Sequence, residues 1–195
     1  MDKKILKHME NFRNIPDSSK FELLRELSEL PRDEKILNFL VNVIENEKYD
    51  RIRINAVLML KKFTNPIVIE KLKTIFTFEH DKSVRLVIVE VLGEKDSKEV
   101  EDFFQNVVLK DLNDVVRATA IRKLQERKKI DNSAMHALLL DVIQNDSSVF
   151  PKQIALSTFL CYADSSDYKT LKNLFIREEM LQMKKLLLNM IRVFV

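Results

Sequence analysis

The stretch Asp81–Leu92, DKSVRLVIVEVL, decides the fold. Taken alone it is typical of a β-strand, because five of its residues are valine or isoleucine and β-branched side chains favour strands. Yet Arg85 interrupts the apolar run, and Asp81 stands four residues before it. An aspartate in front of such a run is typical of a helix N-terminus. Comparison of the chain with itself decides between strand and helix.

Arg85 has counterparts along the chain, at intervals of 32, 32, 35 and 32 residues. The cations at these positions are Arg53, Arg85, Arg117, Lys152 and Lys184. Apolar residues precede each cation by one position and follow it by three, four and seven positions, which is one face of a helix. The column four positions after the cation consists of Val57, Val89, Ile121, Leu156 and Leu188. The stretch is therefore predicted to be the first helix of a repeated helix pair.

A second helix recurs in the same frame. Its central inward column consists of Leu40, Leu72, Phe104, Leu139 and Leu171. Both helices shift to the 35-residue interval at the same place, so three extra residues must lie between Leu124 and Leu139. The segment QERKKIDNSA, residues 125–134, is the expected site of this insertion.

The composition excludes several classes of protein. Hydrophobic residues make up 46% of the 195 residues, charged residues 32%, and the net charge is +3, as in soluble globular chains. Gly93 is the only glycine, which argues against the glycine-rich loops that bind phosphates and dinucleotides. The first residues lack the apolar core of a signal peptide. The single cysteine, Cys161, indicates a reducing cytoplasmic setting and is expected to be a buried structural thiol.

Residues that start and stop helices occur at the expected boundaries. Asp50, Asp81 and Asp114 precede the arginine-bearing helices and are predicted to cap them. Asp96 and Glu99 have the spacing of a capping box. Gly93 is predicted to end its helix in the left-handed conformation. Each arginine is expected to reach an aspartate or backbone carbonyls of the preceding pair.

The segments DRIRINAVLML (50–60), DKSVRLVIVEVL and LNDVVRATAIRKL (112–124) resemble the HEAT and HEAT-like repeat pattern. The resemblance implies an all-α, right-handed α-solenoid of about five helix pairs in one domain over residues 1–195. Residues 1–17 would form an N-terminal cap and residues 18–195 the repeats. The chain departs from the pattern at Ile88, where a small residue is usual, and at Pro151 and Lys152, where valine and arginine are usual.

Catalysis is not expected, and no cofactor or metal is predicted. His8, His80 and His136 are far apart in sequence, so the metal sites of HEAT-repeat hydroxylases have no counterpart. The HEAT-like family also includes DNA glycosylases, which need a carboxylate with aromatic partners in the concave groove. This is the weakest functional hypothesis, because the chain lacks tryptophan.

The strongest charge feature is Arg117–Lys129, which contains six cations and one carboxylate. Arg122 and Lys123 lie off the inward columns, and Arg127, Lys128 and Lys129 run into the lengthened loop. These five cations form a predicted patch for phosphates or an acidic protein surface. The alternative is that cations collect at a helix C-terminus because the helix dipole favours them there.

A polar column lies opposite the core columns of the second helices. It consists of Asn42, Thr74, Asn106, Asp141 and Asn173. In HEAT solenoids the second helices line the concave surface, so the resemblance implies a polar groove that could bind an extended peptide. The alternative is an ordinary solvated helix face.

The chain ends with LLLNMIRVFV, residues 186–195, of which eight are apolar. Leu186, Met190, Val193 and Phe194 cannot all point inward at helical spacing. They predict an apolar edge, covered by further chain, by a partner or by self-association, with burial inside the last repeat as the alternative.

These features together predict a non-catalytic cytoplasmic scaffold or adaptor. A protein partner would bind through the concave groove or the C-terminal edge, without a membrane. The alternative is nucleic-acid binding through the basic Arg117–Lys129 region.

Overall fold

The computed structural model describes residues 2–127, 131–163, 165–177 and 181–192. Within those ranges the chain is all-α, with no strand, as the sequence predicts. The helices are α1 (Lys3–Glu10), α2 (Asp17–Ser28), α3 (Glu34–Asn46), α4 (Asp50–Leu60), α5 (Ile67–Phe78), α6 (Lys82–Gly93), α7 (Lys98–Lys110), α8 (Asp114–Gln125), α9 (Asn132–Asn145), α10 (Val149–Phe159), α11 (Tyr168–Arg177) and α12 (Leu181–Ile191). None of the described helices has the length and apolarity needed to cross a bilayer.

The stretch Asp81–Leu92 is helix α6 with its cap. Asp81 leads the helix and accepts the N–H groups of Ser83 at 2.7 Å and Val84 at 3.1 Å. The side chains of Val84, Ile88, Val89 and Leu92 are fully buried. Burying one such side chain is worth roughly 1.5–3 kcal/mol, whereas β-branching costs a helix only a few tenths of a kcal/mol. Packing therefore overrides the local preference for a strand.

The chain divides into two compact units, an N-terminal unit (Met1–Lys95) and a C-terminal unit (Asp96–Val195). In the N-terminal unit α1 packs on α2, α2 on α4, and α4 on α6. The second helices α3 and α5 pack on each other, and they also pack on α4 and α6 respectively. First and second helices thus form two layers inside this unit.

The C-terminal unit repeats the two-layer arrangement. The first helices α8, α10 and α12 pack in succession, and α7 packs on α9 in the other layer. Helices α7 and α8, α9 and α10, and α11 and α12 also pack as neighbours along the chain. The single domain over residues 1–195 stays a prediction.

The inward columns predicted from the 32-residue frame form the cores of both units. All five members of the central second-helix column, Leu40 to Leu171, are fully buried. In the first helices the column from Val57 to Leu156 is buried as well, but its last member, Leu188, is 37% exposed. The expectation that Leu188 faces inward is therefore wrong.

Three predicted helix boundaries are wrong. Asp50 and Asp114 are the first residues of their helices, and the cap positions belong to Tyr49 and Asn113. The Asn113 side chain accepts the N–H groups of Val115 at 3.1 Å and Val116 at 3.2 Å. Helix α7 is led by Ser97, whose side chain makes no capping bond, instead of by a capping box starting at Asp96.

Gly93 does not adopt the predicted left-handed conformation, because its φ angle is not positive. Helix α6 ends instead in a right-handed turn, in which the Lys95 N–H donates to the Leu92 carbonyl at 2.9 Å. Glu94 at the helix end has φ −86° and ψ −4°, which any residue can adopt. This turn does not need glycine.

Candidate functional site

Four second helices end at an acidic residue whose backbone is extended. These residues are Glu47, Glu79, Asp111 and Asp146. Each carboxylate folds back on the following turn, as Glu79 does when it accepts the Asp81 N–H at 2.8 Å. Asp146 accepts the Ser148 N–H at the same distance. The carboxylates thereby hold the turns between helix pairs without any positive φ angle among the described residues.

The arginines of the repeat bind at these turns. In the N-terminal unit, Nε and Nη2 of Arg53 donate to the Glu79 carboxylate at 2.9 and 3.0 Å. Its Nη1 donates to the carbonyls of Glu47 at 3.1 Å and Lys48 at 2.9 Å. We call this arrangement the Arg53 corner. The two carbonyls belong to the end of the preceding helix pair, as expected. The Glu79 carboxylate instead follows α5, the second helix of the pair that contains Arg53.

Arg117 forms the equivalent Arg117 corner in the C-terminal unit. Its Nε and Nη2 each lie 2.7 Å from the Asp146 carboxylate, and Nη1 donates to the Asp111 carbonyl at 2.8 Å. Hydrogen bonding to Asp146 raises the pKa of Arg117. Arg117 is only 8% exposed, so its guanidinium belongs to the fold and not to a binding surface.

Lys20 has the corresponding role in the first helix pair. Its Nζ lies 2.8 Å from Glu47 Oε2, and both side chains are buried. Burial alone would raise the pKa of Glu47, but hydrogen bonds from Lys20 and the Lys48 N–H outweigh it and lower that pKa. The 32-residue spacing does not predict this pair. The position 32 residues before Arg53 is Phe21, one residue after Lys20.

The predicted polar column is exposed at all five positions. In the N-terminal unit, Asn42 accepts an amide hydrogen bond from Asn46 at 2.9 Å, and the Thr74 hydroxyl donates to the Glu70 carbonyl at 3.0 Å. In the C-terminal unit, Asn106 donates to the Asp102 carbonyl at 2.9 Å. These bonds stay within one helix, so each side chain still presents polar groups to solvent.

The rest of the column continues this pattern in the C-terminal unit. Asp141 accepts an amide hydrogen bond from Asn145 at 2.6 Å, and Asn173 is exposed on α11. The exposure predicted from the sequence is therefore present, while the use of the column as a groove stays a prediction.

The basic segment after Arg117 contains cations in different settings. Arg122 is exposed, with its guanidinium 5.8 Å from the centre of the Phe150 ring. Lys123 is partly buried and pairs with Glu126 at 3.1 Å. Arg127 is partly buried, 5.7 Å from the Phe104 ring centre, and donates to the Ser97 carbonyl at 3.5 Å. Lys128 and Lys129 lie outside the described residues.

Arg127 has a counterpart 32 residues earlier in Lys95. In the N-terminal unit, Lys95 Nζ donates to the carbonyls of Lys61 at 2.8 Å and Phe63 at 2.7 Å. Burial lowers the pKa of Lys95. Both cations therefore bind backbone carbonyls in the turn that joins the first and second helices of a pair. These contacts stabilise the fold.

Only part of the predicted C-terminal edge falls on described side chains. Leu186 is half-buried on α12, and its neighbour Leu188 is exposed. The Met190 side chain, Val193 and Phe194 lie outside the described residues. The edge as a binding surface stays a prediction.

His136 makes a contact that the sequence did not predict. Its Nε2 lies 2.9 and 3.0 Å from the two carboxylate oxygens of Asp167, which is buried. The imidazole also packs on Phe159, with 4.8 Å between ring centres. The pair ties the segment before α11 to α9, and only the three-dimensional fold reveals it, because 31 residues separate the two side chains.

Cys161 is exposed, so the expectation of a buried thiol is wrong. Helix α10 ends at Phe159, and Cys161 lies in the turn that follows it. Because Cys161 lies beyond the end of α10, it is not on the buried face of that helix. The Sγ atom accepts a weak hydrogen bond from Gln125 Nε2 at 3.8 Å.

The described part of the chain contains no group of three or more histidine, cysteine, aspartate or glutamate side chains placed to hold a metal ion. No protein-family model matches the sequence. No curated protein matches it either.

Proposed function

We propose that this chain is a HEAT-like, right-handed α-solenoid that acts as a non-catalytic cytoplasmic scaffold. An extended segment of a partner protein would bind along the exposed face of the second helices. The observation that carries the proposal is the polar column, which is exposed at every position. Its short amides and hydroxyls offer donors and acceptors to a peptide backbone without large apolar surface.

The internal organisation of each unit supports this proposal. First and second helices form separate layers, and two of the five cation positions of the repeat form the Arg53 and Arg117 corners. Arg53 and Arg117 are thus used for folding, whereas the second-helix face repeats exposed polar side chains that a partner can reach. Stacked helix pairs commonly present such a surface for binding.

Site-specific photo-crosslinking tests the proposal. A photoreactive residue placed at Asn42 or Asn106 should capture the same protein from native lysate. The matched positions Asn55 and Ser157 are exposed polar residues on the first-helix layer and should not capture it. Equal capture from both layers, or no capture from the column, would contradict the proposal.

A second measurement uses the purified partner. The variants Asn42→Arg and Asn106→Arg place a bulky charge in the column, and each should weaken binding by about tenfold, a change of about 1.4 kcal/mol. Asn55→Arg provides the control and should bind as the unmodified chain does. Unchanged affinity in both column variants would show that the partner binds elsewhere.

Nucleic-acid binding through Arg122, Lys123 and Arg127 is the second candidate, and the exposed Arg122 favours it. It predicts that affinity for DNA or RNA falls steeply with salt, because phosphate contacts release counterions. The burial of Arg117 and the contacts of Arg127 with Phe104 and Ser97 make it the weaker candidate. Arg122→Glu should abolish such binding, and unchanged binding would exclude this surface.

A further inference from the structure

The N-terminal unit has an open depression of about 530 Å³ where helices α3 and α5 end. It is an open surface depression and not an enclosed cavity, so a side chain can contact it without being enclosed. Its lining consists of Ile44, Glu45, Glu47, Arg53, Phe78, Glu79, His80 and Asp81. The feature that singles it out is Phe78, which is 74% exposed.

The exposure of Phe78 is not a requirement of the repeat. Asn46, Lys110 and Asn145 occupy the equivalent last position of the second helices α3, α7 and α9. Those helices end in the same extended acidic turn with a polar residue at this position. An aromatic ring is therefore unnecessary for the turn, and Phe78 presents an apolar face beside the carboxylates of the depression.

The charges around the ring decide what that occupant is. Four carboxylates and one guanidinium line the depression. Lys20, outside the lining, neutralises Glu47, and Arg53 neutralises Glu79. Arg85, also outside the lining, donates through Nη1 to the carbonyls of Glu79 at 3.1 Å and His80 at 3.0 Å. Four carboxylates and three cations leave a surplus of one negative charge, and Glu45 is the exposed carboxylate. Burial would raise the pKa of Asp81, but hydrogen bonds from the N–H groups of Val84 and Ser83 lower it, so this carboxylate stays ionised at neutral pH.

Arginines of the chain already bind the backbone at both helix ends beside the depression. Arg53 donates to carbonyls at the end of α3, and Arg85 to carbonyls at the end of α5, so the side-chain carboxylates supply the attraction for a further cation. An exposed aromatic face next to carboxylates is suited to a guanidinium group, which stacks on the ring and binds a carboxylate with two parallel hydrogen bonds. The carboxylates would repel phosphate groups, so a cationic group suits this place better than nucleic acid.

We propose that this depression binds an arginine side chain of a partner polypeptide, with the guanidinium stacked on Phe78 and paired with Glu45. The proposal rests on the proposed scaffold function, since it specifies the chemistry of a protein partner in the N-terminal unit. The site lies at the ends of the second helices, so its contribution can be separated from that of the polar column.

The test uses the whole chain and a defined probe. A heptapeptide of alternating glycine and arginine, with both ends blocked to remove their charges, is titrated into the isotopically labelled protein. The chemical shifts of the backbone amides are followed by NMR. The matched probe replaces each arginine by citrulline, which keeps the shape and removes the charge. We expect the arginine peptide to shift amides in residues 44–47 and 78–81, and the citrulline peptide to leave them unchanged.

Variants locate the binding. Phe78→Ala should weaken the arginine peptide about fourfold, and Glu45→Gln about threefold, in line with cation–π and charge-pair energies at exposed sites. Leu112→Ala is the control, because Leu112 is 96% exposed in the corresponding turn of the C-terminal unit. Phe78 and Glu45 are exposed, so both variants should keep the circular dichroism spectrum of the unmodified chain.

Three results would overturn the proposal: equal binding of the citrulline peptide, shifts without a focus on residues 44–47 and 78–81, or full affinity in Phe78→Ala. If a crosslinked partner depends on Asn42 or Asn106 and not on Phe78, the scaffold proposal stands and this site is rejected. If the arginine peptide binds at Phe78 while no partner depends on the column, the depression is a site and the proposed function fails.

Discussion

The Arg53 corner and the Arg117 corner make the same contact with different residues. Arg53 reaches a glutamate 26 residues later at 2.9 and 3.0 Å, whereas Arg117 reaches an aspartate 29 residues later at 2.7 Å through both nitrogens. In each, Nε and Nη2 face the two oxygens of one carboxylate. The three-residue insertion and the change of acid leave the geometry intact.

This comparison separates folding from function. A contact that persists through an insertion and a change of side chain is what the helix pairs need in order to pack. Other positions of these turns carry different residues in different repeats, so the packing of the helix pairs does not require a particular side chain there. Phe78 is such a position, because Asn46, Lys110 and Asn145 occupy its equivalents. We therefore expect binding surfaces beside Phe78 and on the exposed polar column.

The largest expected effect comes from removing one partner of a corner. Arg117→Met leaves Asp146 buried without its counter-charge, and we expect a loss of about 3 kcal/mol in the free energy of unfolding. Arg53→Met should cost less, because the side chains of Arg53 and Glu79 are 13% and 8% exposed, against 9% and 6% in the Arg117 corner. Urea denaturation followed by circular dichroism measures both, and the reverse order would refute the ranking.

The Lys20–Glu47 pair predicts a dependence on pH. The pKa of Glu47 is lower in the folded chain than in the unfolded one, so its stabilising contribution is complete above the unfolded value. That contribution is lost as the pH falls through the lower folded value. Glu47→Gln should cost about 2 kcal/mol at neutral pH, the value of a hydrogen bond to a charged group.

The same variant provides the control for acid unfolding. Between pH 6 and roughly pH 3, Glu47→Gln should lose less stability than the unmodified chain, because one linked carboxylate has been removed. Thermal unfolding at a series of pH values makes the measurement. Parallel curves for the two proteins would show that Glu47 titrates alike in the folded and unfolded states.

Helix caps allow a finer comparison between the units. Asp81→Ala and Asn113→Ala should each cost about 1 kcal/mol, because each removes an acceptor for two N–H groups at the start of a helix. Asp114→Ala should cost clearly less, since Asp114 lies inside the helix. Equal losses for Asn113→Ala and Asp114→Ala, measured by thermal denaturation, would contradict the cap assignment.

The smallest effect is expected at Gly93. Its backbone is not left-handed, so alanine fits the same conformation and restricts the unfolded chain. Gly93→Ala should raise the free energy of unfolding by about 0.5 kcal/mol. A decrease in stability would show that a Cβ atom at this position meets its neighbours.

The sequence predicted the layered helices well because their signal is periodic. The column from Leu40 to Leu171 follows from spacing alone, and its burial confirms the prediction. The cap errors arose from matching residue types instead of register. Asn113 stands 32 residues after Asp81 and is its equivalent, whereas Asp114 attracts attention only because it is an aspartate.

The candidate sites were less predictable, because partners come from elsewhere in the chain. Nothing near Arg127 in sequence indicates the Phe104 ring, and nothing near His136 indicates Asp167. The exposure of the polar column was predictable from periodicity. The depression beside Phe78 was not, since it depends on how the ends of two helices approach each other.

The acidic turns have a consequence for how such a chain can lengthen. The chain reverses direction between helix pairs by means of a carboxylate, and the matching cation lies within the same pair. A duplicated segment of 32 residues would therefore carry its own turn and its own counter-charge. Gene duplication could add a pair without a compensating change in neighbouring pairs, and a protein engineer could extend the array in the same way.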